Sequence, residues 1–317
     1  MATSDQVKSL VKAYFEHDDE KFKTVVLQIA AHEARVGHDN AARELKKQIN
    51  QMPSKRAGIV KIQAGNPLFH LSVPTLKKGD LIVSSELEAK IDRVLNEYRN
   101  RKKLQSYGLA NRRKLLLEGM PGTGKTLSAS IIASELDLPL YTVQMDKLVS
   151  KFMGETSAKL RQIFDTIASD EGVYFFDEFD AIGSDRNIDN EVGEMRRILN
   201  SFLQFIELDN SDSVIIAATN NQKLLDKALF RRFDDVWHYD LPIEDEIKRL
   251  FEYKIVSFSP DFKVSKNLIN QAMGLSHSEI IRACDDAIKD SILSNSQIGE
   301  QEIIRLLKER HVIYKEA

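Results

Sequence analysis

The central part of the chain alternates short apolar runs with stretches of helical periodicity. The runs are bounded by polar residues, and most of them lack the apolar–polar alternation of a strand with one solvated face. Strands that are buried on both faces have this character, and they occur in parallel sheets covered by helices. The pattern therefore predicts an α/β fold. The predicted strands are residues 115–117, 140–143, 173–176, 214–218 and 236–239.

Helical periodicity dominates both ends of the chain. Beyond Pro242 the pattern predicts four helices, at residues 244–256, 264–273, 276–293 and 296–308. Residues 4–50 also show helical spacing, with short breaks at residues 17–19 and 37–40 that favour antiparallel neighbours. Since about 45 residues form only a marginal core, we expect this N-terminal piece to pack on the rest of the chain or on a partner.

The segment between these regions has a different character. Residues 51–82 contain Pro53, Pro67 and Pro74 and show no long periodicity, which indicates a linker with a short strand at residues 69–73. A charged amphipathic helix is predicted at residues 84–105. The predicted domains are an N-terminal helical domain (1–51), a linker (52–81), an α/β domain (82–242) and a C-terminal helical domain (243–317).

Composition excludes several classes of protein. One cysteine among 317 residues rules out an intramolecular disulfide and a zinc site built on several thiolates. A net charge of −3 argues against a chain that mainly coats nucleic acid. The longest stretch without charged residues, 62–76, is 15 residues long and contains two prolines, so it cannot cross a bilayer as a helix. With no secretory leader apparent, we expect a soluble cytoplasmic protein without a membrane partner.

A phosphate-binding loop is the strongest chemical signal. The segment from Gly119 to Thr126 reads Gly-Met-Pro-Gly-Thr-Gly-Lys-Thr and fits the pattern G-x-x-x-x-G-K-[ST] in full, between a predicted strand and a helical stretch. Its glycines allow backbone amides to point at phosphate oxygens, Lys125 supplies a positive charge, and Thr126 offers a hydroxyl to Mg2+. The predicted ATP-binding residues are Pro121, Gly122, Thr123, Gly124, Lys125, Thr126 and Leu127.

Two adjacent acids follow the third predicted strand. Asp177 can hold Mg2+ through its water shell, and Glu178 can polarise the water that attacks the γ-phosphate. A strand that ends in acids is commonplace alone, but it gains weight about 50 residues after a phosphate loop. The pair predicts that ATP is hydrolysed and not merely bound.

In their order and spacing, these motifs resemble those of the AAA+ ATPases, and within them the AAA subgroup, over residues 82–295. The resemblance implies a P-loop NTPase sheet with a C-terminal helical lid and a ring, expected to be a hexamer. Asn220 is similar to the sensor 1 residue, which helps to orient the attacking water. Arg231 and Arg232 match the arginine fingers that reach the γ-phosphate bound by the neighbouring subunit, where a guanidinium neutralises developing charge.

A further segment resembles the first pore loop of this family, which grips a polypeptide in a central channel. It comprises Lys151, Phe152 and Met153, and it implies a protein substrate. The alternative is that Phe152 and Met153 belong to the core of the next helix. Polar, acidic residues at 184–191 lie where a second pore loop would fall.

The lid departs from the family pattern. His277 and Ser278 stand where a Gly-Ala pair usually lies near the nucleotide, and we interpret His277 as a surface or packing histidine. Ile82 and Val83 lie where the adenine-side backbone is usually found. The overall layout resembles compact bacterial AAA ATPases that accompany a subtilisin-like protease, which implies a protease as a partner.

Three functions remain open at this stage. The leading hypothesis is a ring ATPase that threads or remodels protein. Basic clusters at Arg99, Arg101, Lys102, Lys103 and residues 112–114 suggest a nucleic-acid motor, although such clusters are more often solvated helix faces. The third is an ATP-controlled scaffold that switches a partner. Nothing in the sequence identifies the substrate.

Overall fold

The computed structural model describes residues 19–35, 38, 43, 45, 66–148, 153–179, 189–220 and 230–315. The chain divides into two compact units, residues 1–64 and 65–317. In the first unit, helix α1 (Asp19–Arg35) begins at the end of one predicted break and stops before the other. Val25, Val26 and Ala30 of α1 are buried. The other predicted helices of residues 4–50 lie outside the described residues.

The second unit is built on one six-stranded sheet. Its strand order is β1-β3-β4-β5-β2-β6, in which β1 is antiparallel to β3 and every other pair is parallel. This confirms the predicted parallel sheet, and each predicted strand is found to within one residue at either end or with a short extension. The strands are β1 (Phe69–Ser72), β2 (Lys114–Gly119), β3 (Leu140–Val143), β4 (Val173–Phe176), β5 (Val214–Thr219) and β6 (Asp235–Tyr239).

Strand β1 forms an edge of this sheet. It pairs with β3 from Phe69 opposite Val143 to Ser72 opposite Leu140. Leu68, immediately before it, is buried in the core between the sheet and its helices. The strand predicted within residues 69–73 is thus confirmed, and part of the segment interpreted as a linker belongs to the sheet.

Helices cover both faces of the sheet. They are α2 (Ser85–Arg99), α3 (Arg101–Ser106), α4 (Lys125–Glu135), α5 (Met145–Leu148), α6 (Met153–Ser169) and α7 (Asp189–Leu208). Leu115 and Leu117 of β2 pack in a core with α2 and α4, whereas Leu116 packs in a core with α6 and α7. Apolar residues therefore follow one another along β2 because each side of the strand meets a helical layer.

The prediction of one helix over residues 84–105 is wrong. Asn100 separates α2 from α3, with φ −104° and ψ 15°, and its side-chain amide donates to the carbonyl of Asn96 at 2.8 Å. The same carbonyl also accepts from the backbone amide of Asn100 at 3.1 Å, so main chain and side chain both bond back to the last turn. The first helix ends here without the glycine or proline that would signal a break.

The C-terminal region is helical, as predicted. It contains α8 (Glu244–Phe251), which continues as a π-helical turn (Glu252–Val256), α9 (Lys266–Ala272), α10 (His277–Ser294) and α11 (Glu300–Lys315). Ile247, Leu268, Ile280 and Ile303 form its core, and Ile82 enters the same core from the segment before α2. No helix in the described part of the chain combines the length and the apolar character that a bilayer crossing requires.

Candidate nucleotide-binding site

The loop between β2 and α4 has the backbone of an anion-binding turn. Gly119 and Gly122 have φ of +150° and +74°, which side chains rarely adopt. A Cβ on Gly119 would collide with the backbone carbonyl of Tyr239 on the adjacent strand β6. A Cβ on Gly122 would meet the hydroxyl of Ser278 from the helical lid. Both positions therefore require glycine, and the sequence pattern reflects packing as well as ligand binding.

The side chains of this loop are held close to its own carbonyls. The Lys125 ammonium donates to the carbonyls of Gly119 at 2.8 Å and Met120 at 2.9 Å, and the Thr123 hydroxyl donates to Met120 at 2.8 Å. Gly124 precedes α4 without a side-chain cap. The first amides of α4 consequently point towards the loop with the partial positive charge that attracts phosphate.

Thr126 and Asp177 supply oxygen atoms suited to Mg2+. The Thr126 hydroxyl donates to Oδ2 of Asp177 at 2.9 Å, and the amide of Glu178 donates to Oδ1 of the same carboxylate at 3.0 Å. Hydroxyl and carboxylate oxygens are the ligands that Mg2+ prefers, usually together with phosphate oxygens and water. The residues present thus fit Mg-ATP at the end of β2 and β4.

Glu178 has a strained backbone. Its φ is +51°, in the left-handed region that is uncommon for residues other than glycine. Its side chain is exposed, whereas the four residues of β4 before Asp177 are fully buried. Such strain is often found at residues whose side chain has to be oriented for function. Here it turns the backbone away from the direction of β4 directly after Asp177.

Asn220 lies at the same edge of the sheet. It directly follows β5, which lies between β4 and β2. Thr219 of β5 is opposite Glu118 of β2, so Asn220 and the start of the phosphate loop leave neighbouring strands at the same level. The structure therefore brings together the predicted loop, the two acids and Asn220 at the carboxyl edge of the parallel strands.

The two arginines lie at the opposite, amino end of the parallel strands. Arg231 is exposed and Arg232 is half-buried, and both precede β6 at its amino end. The phosphate loop follows the carboxyl end of β2, the parallel neighbour of β6. The four residue steps along β6 span roughly 13 Å at the usual rise of a strand. Nε of Arg232 contacts Oε2 of Glu207 on α7 at 3.3 Å.

The segment predicted as a pore loop is largely outside the described residues. Lys151 and Phe152 are not described, and Met153 begins α6. Most of residues 184–191, the second predicted pore loop, also lies outside the described part. Both assignments stay predictions.

The lid contacts the phosphate loop directly. The amide of Ser278 donates to the carbonyl of Gly122 at 3.0 Å, and the hydroxyls of Ser276 and Ser278 are 3.2 Å apart. Ser278 thus contacts the phosphate loop through its backbone amide. The sequence shows the departure at this position, and the structure shows which atoms make the contact.

His277 is buried within the lid. Burial lowers the pKa of its imidazole to about 4. Oε2 of Glu246 is 3.9 Å from Nε2 of His277, and burial raises the pKa of that carboxyl. A neutral, buried imidazole agrees with the interpretation of His277 as a packing residue.

Residues 81–83, called the wall below, lie against the phosphate loop. The Cδ1 atom of Leu81 and the Cγ1 atom of Val83 lie 3.6 and 3.9 Å from the position that a Cβ on Gly124 would occupy. The carbonyl of Val83 accepts a hydrogen bond from Arg249 of α8 at 3.2 Å. The sequence pattern points to Ile82 and Val83 but not to Arg249, because nothing local in the sequence links positions 166 residues apart.

The basic clusters are in part solvated, as expected from the sequence, because Arg99, Lys102 and Lys103 are exposed, but their arginines are paired with acids. Arg99 pairs with Glu135 at 3.1 Å, and Arg101 pairs with Glu171 at 2.8 Å. Arg112 and Arg113 contact Glu97 and Asp209, respectively. These pairs place an acid beside each guanidinium, so the four arginines do not form a continuous positive surface.

Comparisons with known proteins agree with this geometry. Residues 115–241 match the family described as "ATPase family associated with various cellular activities (AAA)". The chain is 33% identical to the uncharacterized AAA family ATPase y4kL of Sinorhizobium fredii, over 98% of this chain and 96% of that protein. It is 28% identical to a putative 26S proteasome regulatory subunit homolog of Methanothermobacter thermautotrophicus, over 82% of this chain and 70% of the relative. It is 32% identical to the ATP-dependent zinc metalloprotease FtsH of Parabacteroides distasonis, over 66% of this chain and 32% of the relative.

Proposed function

Because the chain belongs to the AAA family of ATPases, we propose that it couples ATP hydrolysis to the remodelling, unfolding or translocation of protein substrates. The active form in this proposal is a cytoplasmic ring of identical chains, a hexamer. The observation that carries the proposal is the separation of the arginines from the phosphate loop. Within one chain they lie at opposite ends of the parallel strands, which leaves the nucleotide pocket without a guanidinium from Arg231 or Arg232 of its own subunit.

The residues at the carboxyl edge divide the chemistry among them. Lys125 and the first amides of α4 bind the phosphates, while Thr126 and Asp177 hold Mg2+. When bound, the metal supplies charge neutralisation on the phosphate oxygens. Glu178 accepts a proton from the attacking water, and the Asn220 amide orients that water. The 2.9 Å bond between Thr126 and Asp177 supports this assignment because it places both magnesium-type ligands together.

A neighbouring subunit supplies the remaining positive charge. Arg231 is exposed and so is able to reach across an interface, and Arg232 is held on the same surface by Glu207. A guanidinium stays protonated and can neutralise charge that develops on the transferred phosphoryl group. Hydrolysis then depends on assembly, and each pocket requires two chains.

The relatives support protein as the substrate. One is named as a proteasome regulatory subunit homolog and another as an ATP-dependent protease. In our proposal residues 151–153, which follow α5 and include the first residue of α6, grip the polypeptide, and a protease of the subtilisin type is the partner. A nucleic-acid motor has less support because Arg99, Arg101, Arg112 and Arg113 are paired with acids.

The variant Glu178→Gln tests this function. It should bind ATP without turning it over, assemble into a ring, and retain its protein client in a pull-down. ATP hydrolysis per wild-type chain should rise with protein concentration as rings form. Glu309→Gln, an exposed acid on α11, serves as the control and should hydrolyse ATP like the wild type. Equal specific activity of monomers and assemblies, or stimulation by DNA with a steep salt dependence, would contradict the proposal.

A further inference from the structure

We propose that Arg249 is a positioning residue for the nucleotide, because it fixes the wall formed by residues 81–83 to the helical lid and so sets the affinity for ATP. The inference rests on nucleotide binding at the phosphate loop. It assigns Arg249 no contact with the reacting atoms.

Residues 81–83 join two separate cores. Leu81 and Val83 pack with β2, α2 and α4, whereas Ile82 packs with α8, α10 and α11 of the lid. Leu81 has an extended backbone, with φ −102° and ψ 119°. In an extended segment neighbouring side chains point to opposite sides. One short segment therefore contacts the phosphate loop on one side and the lid on the other.

Arg249 of α8 makes two hydrogen bonds, one to this segment and one to α2. Its Nη1 donates to the carbonyl of Val83 at 3.2 Å, and its Nη2 donates to Oε1 of Glu88 on α2 at 2.6 Å. A guanidinium presents several donors in a fixed planar fork, so one side chain can fix two acceptors at once. A lysine at this position could satisfy only one of them in the same geometry.

Two further hydrogen bonds attach the lid close to the phosphate loop. The Tyr253 hydroxyl donates to Oδ1 of Asp80 at 3.1 Å, and the Ser278 amide donates to the carbonyl of Gly122. The lid is thus attached on both sides of the phosphate loop, at Gly122 and at the wall next to Gly124. Arg249 adds a hydrogen bond to the wall itself, beside the apolar contact that Ile82 makes with the lid.

Loss of the Arg249 bonds would let the wall and the lid move apart. The wall approaches Gly124, the residue that caps α4 at the phosphate loop. Nucleotide binding would then have to order the wall at each event, which weakens affinity without altering the groups that hydrolyse ATP. A change in the equilibrium constant for nucleotide, with kcat preserved, is the expected signature.

The test measures ADP binding and steady-state ATP hydrolysis with the full chain. Arg249→Gln should raise the Kd for ADP and the KM for ATP by about tenfold, with kcat within about twofold of the wild type. Glu88→Gln removes the counter-charge while leaving Arg249 in place, and should raise Kd by about threefold. Arg249→Lys should lie between the wild type and Arg249→Gln, because one of the two bonds can still form.

The matched control is Lys248→Gln. Lys248 lies on the same helix and makes an exposed pair with Glu252 at 3.7 Å, so its loss should leave Kd and KM unchanged. Lys125→Ala reports on the site itself, and undiminished ADP binding by that variant would contradict the nucleotide site on which the inference rests. If the Arg249→Gln protein does not fold, the Kd for ADP of Glu88→Gln tests the proposal, and a Kd equal to that of the wild type would contradict it. Wild-type affinity in the folded Arg249→Gln protein, or an equal loss in Lys248→Gln, would overturn the proposal.

Discussion

The hydroxyl of Thr126 and the carboxylate of Asp177 are joined by a 2.9 Å hydrogen bond across 51 positions of the sequence. Thr126 belongs to the first turn of α4, and Asp177 directly follows β4. The bond exists because β4 and β2 are both parallel neighbours of β5, which places their carboxyl ends at one edge of the sheet. Two oxygen atoms of the kind that Mg2+ prefers are therefore brought together from distant parts of the chain.

This relationship predicts a specific change in the magnesium requirement. Asp177→Asn replaces a charged ligand with a neutral one, so the Mg2+ concentration for half-maximal ATP hydrolysis should rise by about tenfold or more. Thr126→Ser keeps the hydroxyl and should behave like the wild type. The measurement is ATP hydrolysis over a Mg2+ titration at fixed ATP, and equal titration curves for Asp177→Asn and the wild type would exclude Asp177 as a ligand.

The close approach of Gly119 to β6 predicts a loss of stability on substitution. Gly119→Ala places a Cβ against the Tyr239 carbonyl at a φ of +150°, and should lower the free energy of unfolding by about 2 kcal/mol or more. Gly79→Ala is the matched control, because no atom lies within 4 Å of its added Cβ. Denaturant unfolding of the two variants measures the difference. Equal stability would mean that β2 and β6 separate at low cost.

The position of Arg231 and Arg232 predicts complementation between two inactive variants. Arg231→Ala/Arg232→Ala chains keep their own Glu178, and Glu178→Gln chains keep their arginines. Co-expressed in equal amounts, the two should recover about a quarter of wild-type ATP hydrolysis, because a quarter of the interfaces combine an intact Glu178 with intact arginines.

Two affinity tags would verify that the purified rings contain both chains. Glu178→Gln rings prepared alone provide the background rate. If verified mixed rings show no more hydrolysis than this background, the arginines do not act between subunits.

The buried imidazole of His277 predicts a pH dependence of stability. Burial lowers the pKa of its imidazole from 6.5 in the unfolded chain to about 4 in the folded chain. As the pH falls, His277 therefore becomes protonated in the unfolded state before it does so in the folded state. Stability is fully present above about pH 6.5 and is lost as the pH falls towards 4, by about 2–3 kcal/mol. Glu246 has a raised pKa and opposes this trend near its own titration.

Denaturant unfolding between pH 4 and 7 compares the wild type with His277→Leu and Glu246→Gln. The His277→Leu protein should lose less stability on acidification than the wild type. The Glu246→Gln protein should lose more, because the opposing group has been removed. Parallel stability curves for the wild type and His277→Leu would show that His277 does not titrate in this range.

Substitution in the predicted pore loop should separate ATP hydrolysis from the processing of a protein client. Phe152→Ala should leave ATP hydrolysis within about twofold of the wild type but abolish the processing of a protein client, because an apolar grip is lost while the nucleotide site is intact. Lys102→Ala, an exposed residue on α3, is the control. Normal client processing by Phe152→Ala would favour an ATP-controlled scaffold over a threading ring.

The sheet and the phosphate loop could be predicted from the sequence because their signals are local. Leu115, Leu116 and Leu117 are all buried, and a continuous apolar run is the direct trace of a strand with helices on both faces. The loop between β2 and α4 needs glycine at positions of unusual φ, which a short motif records. The break at Asn100 was missed because a single asparagine is compatible with either a continuous helix or a helix end.

Relationships between distant elements could not be predicted in the same way. The bond from Arg249 to Val83, the contact of Ser278 with Gly122 and the pairing of Arg113 with Asp209 each depend on how separate elements pack. The placement of Arg231 away from the phosphate loop likewise follows from β6 lying beside β2, which no local pattern records. The roles of Arg231 and Arg232 are predictions from the resemblance to a family. Their position follows from the strand order.

The alternation of Leu81, Ile82 and Val83 between two cores constrains how the length of this segment can change. Deleting one residue from the approach to Leu81 would exchange the sides, sending two side chains into the lid and one towards the sheet. A change of two residues would preserve the alternation. The fold should therefore tolerate insertions and deletions at this junction when they change its length by an even number of residues.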